Sequence, residues 1–222
     1  MAASRAALGI APDERVVLFV GRIDPIKGID TLIEAAEIMV SSRSVEPTPT
    51  FLIVGGDLGP DGTTVGPLAD VAESIARRGI EAGFRLVGSQ PQDQLPVFYG
   101  AADVVAIPSR YESFGLVAVE ALACAKPVVA SRVGGLRFTI DEGTTGFLVK
   151  PQSPQALAGA LEMVLNDGPL RAAMSAAARS SVARYDWAIV ARQVNHVYRR
   201  LAAGHRAQLC AGSAIFEMTG SD

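Results

Sequence analysis

Val104-Val105-Ala106-Ile107-Pro108-Ser109-Arg110-Tyr111-Glu112-Ser113-Phe114-Gly115-Leu116-Val117-Ala118-Val119-Glu120 reads as a strand that turns into a helix. The apolar run at 104–107 is short and rich in valine, as a strand buried on both faces is. Pro108 and Gly115 then punctuate the chain, and 115–123 continues as an apolar helix. A helix N-terminus presents unpaired backbone N–H groups and the positive end of the helix dipole, which together make a seat for phosphate. The amides of Phe114, Gly115 and Leu116 are the candidate donors. Glu112 and Glu120 stand eight positions apart, on either side of that seat. Carboxylates do not bind phosphate, so the pair points to a ligand with hydroxyl groups beside its phosphates. A nucleotide sugar fits that description, and Glu112 is then expected to accept from the sugar and Glu120 from the ribose. The alternatives are a helix-capping carboxylate at Glu112 and a solvated Glu120. Glu120, however, is flanked by Ala118, Val119, Ala121 and Leu122, and an acid in such surroundings needs a hydrogen-bond partner.

Outward from this junction the same rhythm repeats. Apolar runs at Val16–Val20, Thr50–Val54, 84–87, 104–108, Val128–Ser131 and 145–149 alternate with helix-like segments at 29–41, 67–78, 92–100 and 115–123. Strand, helix, strand in this order predicts right-handed crossover units: an α/β fold, a Rossmann-like open parallel sheet. Beyond Lys150 the pattern is helical only, with segments at 153–166, 170–184 and 186–202 forming a C-terminal helical extension. One domain is expected over residues 1–203, and 204–222 reads as a loosely held tail. Ligands of open parallel sheets bind at the carboxyl ends of the strands, and every candidate residue falls there.

Gly21-Arg22-Ile23-Asp24-Pro25-Ile26-Lys27-Gly28 follows the first strand. A glycine at the turn allows close backbone approach, and Arg22 and Lys27 can neutralise a diphosphate. Charge accumulates on a nucleoside diphosphate as its bond to a sugar breaks, and fixed cations stabilise it without a metal. The plainer alternative is two surface cations beside a tight turn. Gly55-Gly56-Asp57 reads either as a close-approach turn near a ligand or as the start of a flexible loop, and the loop is favoured. Gly88-Ser89-Gln90-Pro91 ends another strand, where Gln90 either caps the turn or faces a ligand.

The Glu-x7-Glu element, taken with the Gly21–Gly28 segment upstream and Val133-Gly134-Gly135-Leu136 downstream, resembles the donor-binding half of family 4 glycosyltransferases. The likeness runs from about Pro12 to about Leu201. It implies the GT-B architecture, two Rossmann-like domains facing a cleft, and transfer of a hexose with retention. By the same resemblance Gly21, Arg22 and Lys27 meet the diphosphate and Glu112 the donor sugar. Glu120 then meets the ribose, and Ser89 and Gln90 lie against the base. Some relatives carry an arginine where Gln90 stands; its amide can read a uracil edge, so a UDP-sugar is favoured over a GDP- or ADP-sugar. The resemblance implies no cofactor beyond the donor. It also implies an acceptor-binding domain preceding the first strand at Val16, so the chain reads as half of an enzyme. An excised domain, a truncated frame and one subunit of a split transferase all fit, and transfer by this half alone should be weak. A rival is a module that binds nucleotide sugars without catalysis. A dinucleotide-binding dehydrogenase is disfavoured, because Gly-x-Gly-x-x-Gly does not follow the first strand.

Composition bounds the remainder. Of the 222 residues 49% are hydrophobic and only 6% aromatic, which suits a core of small aliphatic side chains under helices. Cys124 and Cys210 are too few for a disulfide framework, and no metal-ligand spacing occurs. No segment reads as a leader or a membrane span, so a cytoplasmic location is the expectation. The net charge of −3 argues against nucleic-acid binding. Residues 171–206 nonetheless carry seven arginines against Asp186. That stretch reads either as a solvated face or as a docking surface for a partner domain, a second copy or an acidic membrane.

Overall fold

The computed structural model describes the backbone of residues 1–216 and the side chains of residues 1–202. The apolar runs become β1 (Val16–Val20), β2 (Thr50–Val54), β5 (Phe84–Gly88), β6 (Val104–Ile107), β7 (Val128–Ser131) and β8 (Gly146–Val149). They form one parallel sheet of six strands in the order β5-β2-β1-β6-β7-β8. Helices α2 (Ile29–Ser42), α3 (Pro67–Arg77), α4 (Leu95–Ala101) and α5 (Leu116–Ala123) connect the strands in the expected rhythm. Then come α6 (Leu136–Thr139), α7 (Pro154–Asn166) and α8 (Gly168–Ser181). Continuous aliphatic runs bury both faces of the central strands: Val16, Val17, Leu18, Val104 and Val105 are all fully inaccessible. Each such side chain contributes about 1.5–3 kcal/mol by leaving water. The core on one face joins Val17, Phe51 and Ile53 to Leu32, Ala36 and Met39 of α2 and to Leu157, Leu161 and Leu165 of α7.

Three elements were not expected. Helix α1 (Ala2–Ala7) precedes β1. It is pinned by Arg5, which donates to Asp103 Oδ2 at 2.8 Å and to the carbonyls of Ala101, Ala11, Pro12 and Glu14. Asp103 also accepts from the Val16 amide at 2.8 Å, so the buried ion pair is satisfied on both sides. The segment after Gly55-Gly56 is an antiparallel hairpin, β3 (Asp57–Leu58) with β4 (Thr64–Val65), rather than an open loop. The third is the short α6 itself.

The chain divides into two compact units, Met1–Val182 and Ala183–Asp222, whereas the sequence suggested a boundary near residue 203. The second unit contains α9 (Trp187–Phe216), whose backbone stays helical past that boundary. The end of the expected tail, 217–222, lies outside the described residues. In α9 the side chains of Trp187, Val194, Val197, Tyr198 and Leu201 are exposed, Trp187 at 83%. Among the described residues no helix is long and apolar enough to cross a membrane.

Candidate functional site

Strand order fixes where a ligand can sit. From β1 the chain moves outward through β2 to β5, then returns to place β6 on the other side of β1. The crevice between the carboxyl ends of β1 and β6 is therefore the topological switch point, where doubly wound sheets bind ligands. Both halves of the candidate site leave the sheet there.

After β1, Asp24 accepts from the Ile26 amide at 2.9 Å and starts a 3-10 turn over Pro25–Lys27. That turn aims Lys27 across the crevice, and its Nζ donates to Glu112 Oε2 at 2.7 Å. The two side chains retain 23% and 15% of their exposure, so the bridge is partly open to solvent. Two further bonds lace the same loops together: Arg110 N–H donates to the Ile26 carbonyl at 2.8 Å, and the Arg110 guanidinium pairs with Asp30. Gly28 makes this approach possible. Its φ is +69°, and a Cβ there would stand 2.1 Å from the Pro108 carbonyl oxygen.

A second glycine holds the loop from the other side. Gly134 has φ +43°, and a Cβ on it would meet the Glu112 carbonyl oxygen at 1.8 Å. The next amide, Gly135 N–H, donates to that oxygen at 3.0 Å. Helix α5 then opens at Gly115, a left-handed N-cap with φ +88°, so the capping role left open for Glu112 falls to Gly115 instead. The Gly115 and Leu116 amides have no intrahelical acceptor at this terminus. The side chains of Phe114 and Leu116 are exposed, so any contact these residues offer a buried anion is through the backbone.

Glu120 lies on the first turns of α5 and is half-buried. Its Oε2 accepts from the hydroxyl of Tyr99 on α4 at 2.7 Å, the partner that its apolar neighbours demanded. Burial, reinforced by that bond and by the Glu120 charge, pushes the Tyr99 phenol far above its usual value, so it stays a donor. Tyr99 was missed from sequence, since a tyrosine beside Phe98 in an apolar helix carries no signal of its own.

A cleft of about 350 Å³ adjoins β1, lined by Gly21, Arg22, Gly55, Gly56, Ser89 and Gln90, among others. Gly55-Gly56 thus forms part of the wall, as the close-approach alternative had it and the favoured loop reading did not. The Ser89 amide and hydroxyl both donate to the Gly56 carbonyl, at 2.7 and 2.8 Å, fixing the turn after β5. Gln90 Nε2 donates to the Val87 carbonyl at 3.2 Å. Arg22 is exposed on the cleft wall and makes no bond to another described residue. The sequence-predicted residues therefore gather into three neighbouring groups: the Gly21, Arg22, Ser89 and Gln90 cleft, the Lys27–Glu112 bridge with the α5 terminus, and Glu120 with Tyr99. Cys124 is half-buried, and burial pushes its thiol up, which suits an inert position. Cys210 lies outside the residues with described side chains.

Residues 1–181 match the family described as glycosyl transferases group 1. The chain belongs to that family. Its sheet is one Rossmann-like half of the GT-B fold. A group 1 relative from Jonesia denitrificans, D-inositol 3-phosphate glycosyltransferase, is 39% identical over 198 residues, which is 89% of this chain and 46% of the relative. Sucrose-phosphate synthase from Thermosynechococcus elongatus superposes with a TM-score of 0.80 at 38% identity, over 92% of this chain and 49% of that one. HepE from Anabaena, solved in complex with UDP, superposes with a TM-score of 0.77 at 29% identity, over 90% of this chain and 52% of that one. HepE was also solved with UDP-glucose. The chain spans about half the length of the relatives it matches.

Proposed function

We propose that this chain is the donor half of a hexosyltransferase that uses a nucleoside-diphosphate sugar and retains the anomeric configuration. The observation that carries the reading is the Lys27–Glu112 bridge at the switch point, beside the open N-terminus of α5. A diphosphate entering there competes with Glu112 for Lys27. Once Lys27 turns to phosphate, Glu112 is free to accept from sugar hydroxyls. One event thus supplies a cation to the leaving group and a carboxylate to the sugar. When the bond between the anomeric carbon and the β-phosphate oxygen breaks, charge collects on the diphosphate. Lys27, Arg22 and the α5 amides are the donors that stabilise it.

HepE, crystallised with UDP and with UDP-glucose, supports a UDP-sugar as donor, with Ser89 and Gln90 against the base. Relatives named for inositol phosphate and for sucrose phosphate share this half, so the acceptor is chosen elsewhere in the enzyme. Transfer then needs an acceptor domain or a partner subunit to orient the second substrate. The apolar stripe Trp187, Val190, Val194, Val197 and Leu201 recurs at helical spacing on α9 and is the surface we assign to it. A cytoplasmic location and freedom from nucleic acid complete the reading. Peripheral membrane contact would fall to the exposed Arg192, Arg199 and Arg200, since Arg171 is bound to the Val164 and Leu165 carbonyls and to Asp103.

Two conservative substitutions test the assignment. Glu120→Gln should weaken UDP and UDP-glucose alike, because both carry the ribose. Glu112→Gln should weaken UDP-glucose and leave UDP nearly unchanged. Equal losses on both ligands for Glu112→Gln would make that residue a structural support and remove it from the sugar.

A further inference from the structure

Tyr99 is 1% exposed, and its hydroxyl has one partner among the described residues, Glu120 Oε2 at 2.7 Å. The bond joins α4 to α5 across 21 positions of sequence. It uses one oxygen of the carboxylate; Oε1 accepts from no other described residue. A carboxylate has room for about four hydrogen bonds, so the bond to Tyr99 leaves capacity for both hydroxyls of a vicinal diol. Helix α4 ties this pair to the cleft. Leu95 lines the cleft wall, and Tyr99 lies one turn later on the same helix face. A free glutamate side chain samples many rotamers, and ordering it has an entropic cost. A buried, immobile hydroxyl can meet that cost before any ligand arrives.

We propose that Tyr99 is a positioning residue, its hydroxyl holding the Glu120 carboxylate in the orientation that receives the ribose diol. The proposal rests on the reading of Glu120 as the ribose ligand. Tyr99 touches no substrate and acts only through Glu120.

The test compares calorimetric affinities for whichever of UDP, GDP and ADP binds most tightly and for its 2′,3′-dideoxy counterpart. The unmodified chain should prefer the ribonucleotide. Tyr99→Phe keeps the ring and removes only the hydroxyl. It should lower ribonucleotide affinity about 3- to 10-fold and leave the dideoxynucleotide unchanged, so that the preference collapses. Glu120→Gln should collapse the same preference. If Glu120→Gln abolishes it and Tyr99→Phe keeps it in full, the positioning role is overturned while the ribose assignment stands. If neither substitution alters it, the ribose assignment fails and takes the proposal with it. Equal losses on both nucleotides for Tyr99→Phe assign the hydroxyl to packing, which also overturns the proposal. Should that variant not fold, a crystal structure of the unmodified chain with the nucleotide decides instead. Tyr99 must still donate to Glu120 while Glu120 faces the ribose; a carboxylate turned away from Tyr99 contradicts the proposal.

Discussion

The loops at the carboxyl ends of β1 and β6 and the long helix α9 stand at opposite extremes. The loops are cross-linked by Lys27–Glu112, by Arg110 to Ile26 and Asp30, and by the close approach of Gly28 to Pro108 and of Gly134 to Glu112. Lys27, Arg110 and Glu112 find their partners within the same unit, so these loops are held together without a ligand. Helix α9 carries an apolar stripe whose Trp187, Val194, Val197 and Leu201 are exposed. A helix with such a stripe is written to pack against something. The first unit thus carries loops tied together by its own residues, and the second carries a helix with apolar side chains open to solvent.

The largest effect should come from filling the close approach at Gly134. Gly134→Ala places a methyl group against the Glu112 carbonyl in a left-handed conformation. A loss on the order of 3 kcal/mol is expected, lowering Tm by roughly 6–12 °C for a unit of this size. Nucleotide-sugar affinity should fall with it. An unchanged melting curve would show that the site loops are less rigidly set than the contrast requires.

A smaller effect on stability but a clear one on assembly is expected at α9. The unmodified chain should self-associate through the exposed stripe, and Val197→Lys should shift it to monomer in analytical ultracentrifugation. That substitution should change stability by no more than about 0.5 kcal/mol. A monomeric parent whose α9 amides exchange as slowly as those of β1 would break the comparison from the other side.

The smallest change is a control for the first. Gly159 lies exposed within α7, with open space where a Cβ would stand. Gly159→Ala should stabilise the fold by about 0.5–1 kcal/mol. Read beside Gly134→Ala, it separates a glycine that the site needs from one that it does not.

How much of this was legible in the sequence follows from local physics. The four inner strands announce themselves because a strand buried on both faces is a continuous apolar run, as at Val16–Val20 and Val128–Ser131. Glu112, Glu120 and Lys27 stood out as candidates because their residue types clash with, or punctuate, the elements that carry them. Helix α1 was not. Its stability comes from Arg5 reaching Ala101 and Asp103, about a hundred positions away, and nothing in the first ten residues records that contact. The β3–β4 hairpin has two-residue strands that are mostly exposed, too short for any alternation to show. Tyr99 could have been found only by asking which side chain satisfies Glu120, a question that needs α4 and α5 placed side by side.

The central claim, that the switch-point crevice is a diphosphate site held ready by Lys27 and Glu112, is tested most directly by one calorimetric comparison. UDP and UMP are titrated into the unmodified chain and into Lys27→Ala. Hydrogen bonds to charged groups contribute about 1.5–3 kcal/mol, so Lys27→Ala should weaken UDP by about ten-fold or more. UMP, which lacks the second phosphate, should bind both proteins equally and more weakly than UDP binds the parent. Equal affinity of the parent for UDP and UMP, or an equal loss of both in Lys27→Ala, would contradict the account.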